Sequence, residues 1–313
     1  MSLLNLLRRC GVWALARLEN TFLARRSPLD LAMLRLILYG YVAVFETHRK
    51  FTWSTQRASF SPVGIYNWTG LISDHTLSLM QRVGQVAAIA CCVGVGFRFA
   101  APVCALALVY PMGLANNFGK INHPDNLLAV ALVLLAFCRA GDGLSIDAWL
   151  RRRRGETFEA SAEYRWPIAA IWLSVAGMYW AAGVAKVLHT GWEWAFSDNF
   201  QLLLLRHHFT HSPPTRVGIW IAQFPALCVA LAVGALSWEL LAPLLLLGGR
   251  WTLVFGGGLI GLQVGIFLLL GVAFRSMAPV FAAFLPWQLL AERLLPKRWL
   301  ASAGAEPGPR PHE

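Results

Sequence analysis

Residues 166–188 read WPIAAIWLSVAGMYWAAGVAKVL, an apolar stretch in which Lys186 is the only charged residue. A helix needs about 20 largely apolar residues to cross a bilayer, and within it the backbone polar groups pair with one another. This stretch meets that requirement by itself. We therefore predict a membrane-spanning helix over 166–188 and expect the rest of the chain to be built in the same way.

Apolar stretches of similar character recur along the 313 residues. We predict spans at 30–46, 77–97, 99–118, 126–141, 166–188, 226–248, 251–274 and 277–291, of which the fourth and eighth are short. The chain is 57% hydrophobic and 14% charged, a composition that a soluble domain with a polar surface does not have. The predicted fold class is an all-α polytopic transmembrane helical bundle of about eight spans with interfacial helices.

The ends of the chain differ from its middle. Residues 1–26 place leucines at helical spacing with arginines between them, which predicts an amphipathic interfacial helix. Residues 27–291 form the predicted transmembrane domain. Residues 292–313 begin basic and become rich in Pro, Gly and Ala, which predicts a disordered cytoplasmic tail. We expect no appended soluble domain.

The charges predict an orientation. Lys and Arg number 27 against 16 Asp and Glu, and with the N-terminus inside, about 17 of the basic residues lie inside and about seven outside. This predicts a multi-pass protein of the inner (plasma) membrane with both termini cytoplasmic. The run Arg151–Arg154 is interpreted as a signal that holds its loop inside, so we expect membrane lipid rather than nucleic acid as a partner.

Cysteine and histidine do not predict a metal site. The six cysteines contain no C-x-x-C pair. His207, His208 and His211 lie close in sequence, but no carboxylate follows at ligand spacing. We predict no metal.

Two further patterns concern packing. Gly257, Gly261 and Gly265 recur every four residues, which predicts a helix face that a neighbouring helix approaches closely. The intervals 47–76 and 189–217 are both predicted outside and are rich in aromatic residues, so they could cover a pocket.

Ionisable side chains inside the bilayer are costly, so they tend to be paired or functional. Arg35 and Glu239 lie at similar predicted depths in the first and sixth spans, which predicts a structural intramembrane ion pair. Lys186 lies near the outer end of the fifth span and shares a helix face with Tyr179. It either extends its ammonium to the headgroups or is held in an apolar pocket as a base.

Several segments resemble the vitamin K-dependent gamma-carboxylases. The similar stretches are Ala182–Leu188 with Trp192, Leu205–His207 with Ser212–Pro213, Asn122–His123, Asp142–Asp147 and Ser27–Arg35. Their order and spacing resemble those of the membrane domain called HTTM over roughly residues 27 to 290, a domain that those enzymes share with many bacterial membrane proteins.

The resemblance implies roles for individual residues. A lysine at the position of Lys186 is the base that deprotonates a vitamin K hydroquinone in that family, and Asn122 and His123 match residues that orient or stabilise the quinol oxygen. Arg206 and His207 match positions in the loop that covers the pocket. The implied cofactor is a reduced quinone of the vitamin K or menaquinol type.

The chain also departs from the family. The carboxylases carry a polar, histidine-containing stretch where residues 261–267 offer only Gln263 for hydrogen bonding, and they continue into a large extracytoplasmic region. Glutamate carboxylation is therefore not favoured. We expect an outward-facing quinol or lipid pocket that supports quinol-coupled oxidation or modification of a peptide or lipid. The alternative is a non-enzymatic membrane subunit or maturation factor that assembles with a membrane or secreted protein partner.

Overall fold

The computed structural model describes residues 3–45, 58–119, 123–210 and 215–294, and these residues contain no β-strand. An isolated antiparallel bridge joins Arg26 to Ser161. The helices are α1 (Leu3–Leu23), α2 (Leu29–Val44), α3 (Tyr66–Thr69), α4 (Asp74–Val93), α5 (Phe97–Leu114), α6 (His123–Ala136), α7 (Ile146–Arg153), α8 (Trp166–Thr190), α9 (Glu193–Phe196), α10 (Asn199–Thr210), α11 (Arg216–Ile221), α12 (Pro225–Leu241), α13 (Arg250–Leu270), α14 (Ala278–Phe281) and α15 (Trp287–Leu294). The predicted all-α class is confirmed.

Five helical segments of the described chain are long and apolar enough to cross a membrane. They are Asp74–Val93, Phe97–Asn117, Ala162–Thr190, Pro225–Leu247 and Arg250–Leu270. Helices α2 and α6 are apolar but shorter, with 16 and 14 residues. The protein is therefore an integral membrane protein, and the predicted count of eight spans is not confirmed.

The predicted eighth span, 277–291, is not one helix. Helix α14 is followed by a 3₁₀ turn at Ala282–Phe284, and α15 begins only after Pro286. Leu285 between them is extended, with φ −83° and ψ 133°, because a proline ring disfavours helical backbone in the residue before it. The apolar composition is that of a span, but the proline divides the segment.

The chain divides into two compact units. The first unit comprises Met1–Thr21 and Trp172–Arg275, and the second unit comprises Phe22–Ile171 and Ser276–Glu313. In the first unit, α12 contacts α9, α10 and α13. In the second unit, α4 packs against α2 and α5, α5 packs against α6, and α14 and α15 pack against α2.

Asp147 ties the turn between α4 and α5 to the start of α7. Its carboxylate accepts hydrogen bonds from the backbone N–H groups of Gly96 and Phe97, each at 3.0 Å. Its own N–H donates to the Gly94 carbonyl at 3.0 Å. The first N–H groups of a helix have no partner within the helix, so this carboxylate caps the start of α5.

The close helix contact on α13 does not occur at the three glycines for which the sequence predicts it. A Cβ added at Gly257, Gly261 or Gly265 would meet no described atom within 4 Å, whereas one at Gly258 would lie 2.8 Å from the Trp238 ring. The close approach therefore occurs at Gly258. The three predicted glycines form a face of α13 that the described residues leave open.

The remaining predictions about the chain ends are tested only in part. Residues 1–26 contain α1, as a helix prediction requires, while the interfacial position of this helix stays a prediction. The basic tail over 292–313 lies outside the described residues from 295 onward, as do residues 46–57 of the first aromatic interval.

Candidate functional site

Lys186 and Glu239 form an ion pair within the first unit. Lys186 lies near the end of α8, and Glu239 lies near the end of α12. The Lys186 Nζ contacts both oxygens of the Glu239 carboxylate. The two side chains are 25% and 10% exposed, respectively. Water screens a largely covered ion pair only weakly. Removal of either partner would therefore leave the other charge without compensation.

Gly183 allows the two helices to bring these groups together. It precedes Lys186 by one helical turn, and a Cβ at this position would lie 3.0 Å from the Glu239 Cβ and 3.2 Å from the Leu240 backbone nitrogen. Such contacts are tighter than ordinary van der Waals packing, and the Leu240 backbone has little freedom to move. The absence of a side chain at position 183 therefore sets the spacing between α8 and α12.

We expect Gly183→Val to destabilise the protein by about 1–3 kcal/mol, because extra volume in a packed site forces neighbouring groups apart. Gly177→Val is a matched control on the same helix, since a Cβ there would meet no described atom within 4 Å. Unfolding midpoints of the purified variants in one detergent would measure the difference. Equal midpoints for the two variants would show that Gly183 does not set the helix spacing.

Trp194 covers the lysine. The Nζ of Lys186 lies 4.7 Å from the centre of the Trp194 ring, a distance at which the electron-rich face of an indole attracts a cation. Trp194 is held in place by its neighbourhood, because α9 packs on α12 through the buried residues Ala195, Ala232 and Leu236. The ammonium thus lies between a carboxylate and an aromatic ring.

Tyr179 extends the polar site along α8. It lies about two helical turns before Lys186 and is buried. Its hydroxyl accepts a hydrogen bond from Gln263 Nε2 on α13. Tyr179, Gly183 and Lys186 therefore follow one side of α8, as the helical spacing predicts.

Arg35 has a different partner from the one that the sequence predicts. Its Nη2 donates to the Leu144 carbonyl at 2.6 Å within the second unit, while Glu239 pairs with Lys186. Leu144 adopts a φ of 45°, a left-handed conformation that costs roughly 1–2 kcal/mol for a residue with a side chain. The prediction compared the depths of Arg35 and Glu239 within their spans. It missed this arrangement because a turn between helices, rather than a second span, supplies the acceptor.

The sequence matches the model of the HTTM domain over residues 26–255. The chain belongs to the HTTM domain family. The match covers Lys186, Trp194 and Glu239, and the resemblance to the membrane domain of the gamma-carboxylases is consistent with it. No curated protein and no solved structure matches this HTTM chain.

The segment before α6 is described only in part. Asn122 lies outside the described residues, and His123 is described as the first residue of α6 without its side chain. The next acidic residue, Asp125, is buried and accepts a hydrogen bond from Ser276 at 2.7 Å. The roles that the HTTM resemblance implies for Asn122 and His123 stay predictions.

Arg206 and His207 lie on α10, where Arg206 is exposed and His207 is half-buried. The predicted covering interval 189–217 is therefore largely helical, and its helices α9 and α10 both contact α12. His, Cys, Asp and Glu form no group of three that could hold a metal ion within the described ranges. A covering role for Arg206 and His207 stays a prediction.

The described site brings a cation, a carboxylate and an aromatic ring together. Lys186 contacts Glu239, its Nζ lies 4.7 Å from the centre of the Trp194 ring, and Tyr179 is buried on the same side of α8. Sequence reasoning found Lys186, Glu239 and Tyr179 but not Trp194. It also did not predict that Glu239 pairs with Lys186.

Proposed function

We propose that Lys186 and Glu239 form the acid–base centre of a site that binds a quinol or a similar lipid-soluble ligand. The observation that carries this proposal is a partly exposed ammonium held between a carboxylate and an indole ring in a chain of the HTTM family. Small residues adjoin it on α8, where Ala182 and Ala185 are exposed. This surface leaves room for a planar ring beside Lys186.

The pair supplies the base in two proton transfers. The ammonium of Lys186 first gives a proton to Glu239, which leaves an amine and a carboxylic acid. Both groups are then uncharged, so their desolvation costs less free energy. The uncharged Nζ would then be able to accept a proton from a hydroxyl of the bound ligand, which restores the ammonium. Glu239 thereby acts as the temporary proton store for Lys186.

The cofactor that the resemblance implies is a reduced quinone. A reduced quinone supplies the acidic hydroxyl and, with molecular oxygen as the oxidant, the reducing equivalents for modification of a peptide or lipid. In this proposal, Lys186 would hold the transferred proton, and the Trp194 ring beside it would exclude water. The charge asymmetry of the sequence supports an orientation in which the site faces outward and both termini are cytoplasmic.

The direct test is turnover by the purified protein. With reduced menaquinone or vitamin K hydroquinone in detergent, we expect oxygen consumption and formation of the quinone epoxide. Extraction of the protein from the membrane should also recover bound quinone, which is a readout independent of turnover. If the protein neither binds quinone nor consumes oxygen with either quinol, the proposal fails.

A second function is favoured by the open face of α13. A Cβ added at Gly257, Gly261 or Gly265 would meet no described atom within 4 Å, and faces of small residues allow close approach between helices in a bilayer. This supports a non-enzymatic membrane subunit or maturation factor that assembles with a membrane or secreted partner. Stoichiometric co-purification of one partner, lost in Gly261→Ile and accompanied by no quinol turnover, would favour this function over the first.

A further inference from the structure

A basic cavity of about 820 Å³ lies in the second unit, remote in sequence from Lys186. It is formed where α5 begins, where the chain leaves α6 and along α7. Its charged lining residues are Arg98, Arg139, Asp142, Asp147, Arg151 and Arg154. The quinol site proposed above does not use these residues.

Asp142 is fully engaged by its neighbours. Its carboxylate accepts hydrogen bonds from Arg139 at 2.7 Å and from the Tyr164 hydroxyl at 2.9 Å, and it also contacts Arg151. Arg139 has a second partner in Glu163 at 2.8 Å. Burial lowers the pKa of Arg139, but its bond to Glu163 and the charge of Asp142 outweigh burial, so the pKa rises and the guanidinium stays charged.

Asp147, the other acidic group of the cavity, also has its hydrogen-bond partners within the protein. It caps α5 through the N–H groups of Gly96 and Phe97. Across the described ranges, no carboxylate lies within ion-pair distance of Arg98 or Arg154. Both of these arginines are exposed and line the cavity. The cavity therefore presents two cationic groups that nothing described in the chain neutralises.

The surroundings of the cavity are those of a membrane interface. Phe137 lines it and is 79% exposed, and Leu150 on α7 also lines it and is exposed. The Arg153 guanidinium lies 3.8 Å from the ring centre of exposed Trp149. Aromatic and basic residues combine in this way where helices end at the lipid headgroups. A ligand here meets guanidinium groups and an apolar surface together.

We propose that this cavity binds the phosphate of an anionic glycerophospholipid through Arg98 and Arg154, with the acyl chains against Phe137 and Leu150. Guanidinium groups bind phosphate through paired, charge-assisted hydrogen bonds. A free phosphate offers the same charge but no apolar part, so the exposed Phe137 favours the lipid. By the predicted orientation this end of α5 is cytoplasmic, which places the lipid in the inner leaflet.

The test compares lipid retention by the full-length protein in detergent, measured by native mass spectrometry with added phosphatidylglycerol or phosphatidylcholine. We expect the wild type to retain phosphatidylglycerol preferentially. The double variant Arg98→Gln/Arg154→Gln should bind it roughly 25-fold more weakly, since each arginine near a membrane surface contributes about 1 kcal/mol toward anionic lipid. Because neither residue bonds to Asp142, the unfolding midpoint without added lipid should not change.

The matched control removes two exposed arginines that do not line the cavity, Arg250→Gln/Arg293→Gln. This control should retain the wild-type preference. An equal loss in both double variants would mean that general charge attraction holds the lipid, which overturns the proposal. Competition by glycerol phosphate as effective as by the lipid would show a site for free phosphate instead. If the double variant is unstable, the single variants Arg98→Gln and Arg154→Gln decide by the same comparison.

Discussion

Lys186→Ala should lower quinol-dependent oxygen consumption by about 100-fold to 10,000-fold, the range that a positioned general base contributes. The amine that would take the hydroxyl proton is then missing, while the other residues of the site are unchanged. Binding of quinone should therefore change much less than turnover. An oxygen electrode measures the rate of turnover. Quenching of the protein's fluorescence during a titration with quinone measures the binding.

Chemical rescue separates a base from a structural lysine. Small primary amines added to Lys186→Ala should restore part of the rate, because they enter the space left by the side chain and accept the same proton. His189→Ala is the matched control, since His189 is exposed on the same last turn of α8 and should leave the rate unchanged. A wild-type rate in Lys186→Ala would exclude Lys186 as the base.

Asp142→Ala should destabilise the second unit by about 3 kcal/mol. The Asp142 side chain is 5% exposed, and its removal leaves Arg139, Arg151 and the Tyr164 hydroxyl without their common acceptor. Loss of one partner leaves the other charges uncompensated, and hydrogen bonds to charged groups contribute about 1.5–3 kcal/mol each. Unfolding midpoints in detergent would measure the change.

Glu156→Ala is the matched control for Asp142. Glu156 also pairs with Arg151, but at 3.9 Å and with half of its side chain exposed, so its removal should cost less than about 1 kcal/mol. Asp142→Asn should give an intermediate loss, because the amide oxygen still accepts from Tyr164 while the negative charge is gone. Similar midpoints for Asp142→Ala and Glu156→Ala would contradict the assignment of Asp142 as the shared anchor.

The sequence predicts the helices well because apolar composition and length carry that information. Helix α8 extends over the predicted span with its one charge, Lys186, near the end. Proline is less easily interpreted. Pro102 and Pro111 lie inside the continuous helix α5, while Pro286 divides the predicted eighth span. Tertiary contacts decide between these outcomes, and sequence periodicity does not report them.

The sequence points to most residues of the candidate site, but it does not predict which of them contact each other. Lys186 and Glu239 stand out because charge is rare in apolar helices. Their contact depends on Gly183, whose missing side chain lets α8 and α12 approach. Trp194 comes from a short helix with no periodic signal. The sequence gives only the depth of each residue along its own span and not which helices are neighbours. It therefore could not show that Arg35 bonds to the turn at Leu144.

The cap on α5 imposes an order on biogenesis. Helices α4 and α5 leave the ribosome before Asp147, yet the first N–H groups of α5 obtain their acceptor from that residue. The start of α5 therefore cannot be closed until α6 has also been synthesised. Once residue 147 is present, it joins the start of α7 to the turn between α4 and α5.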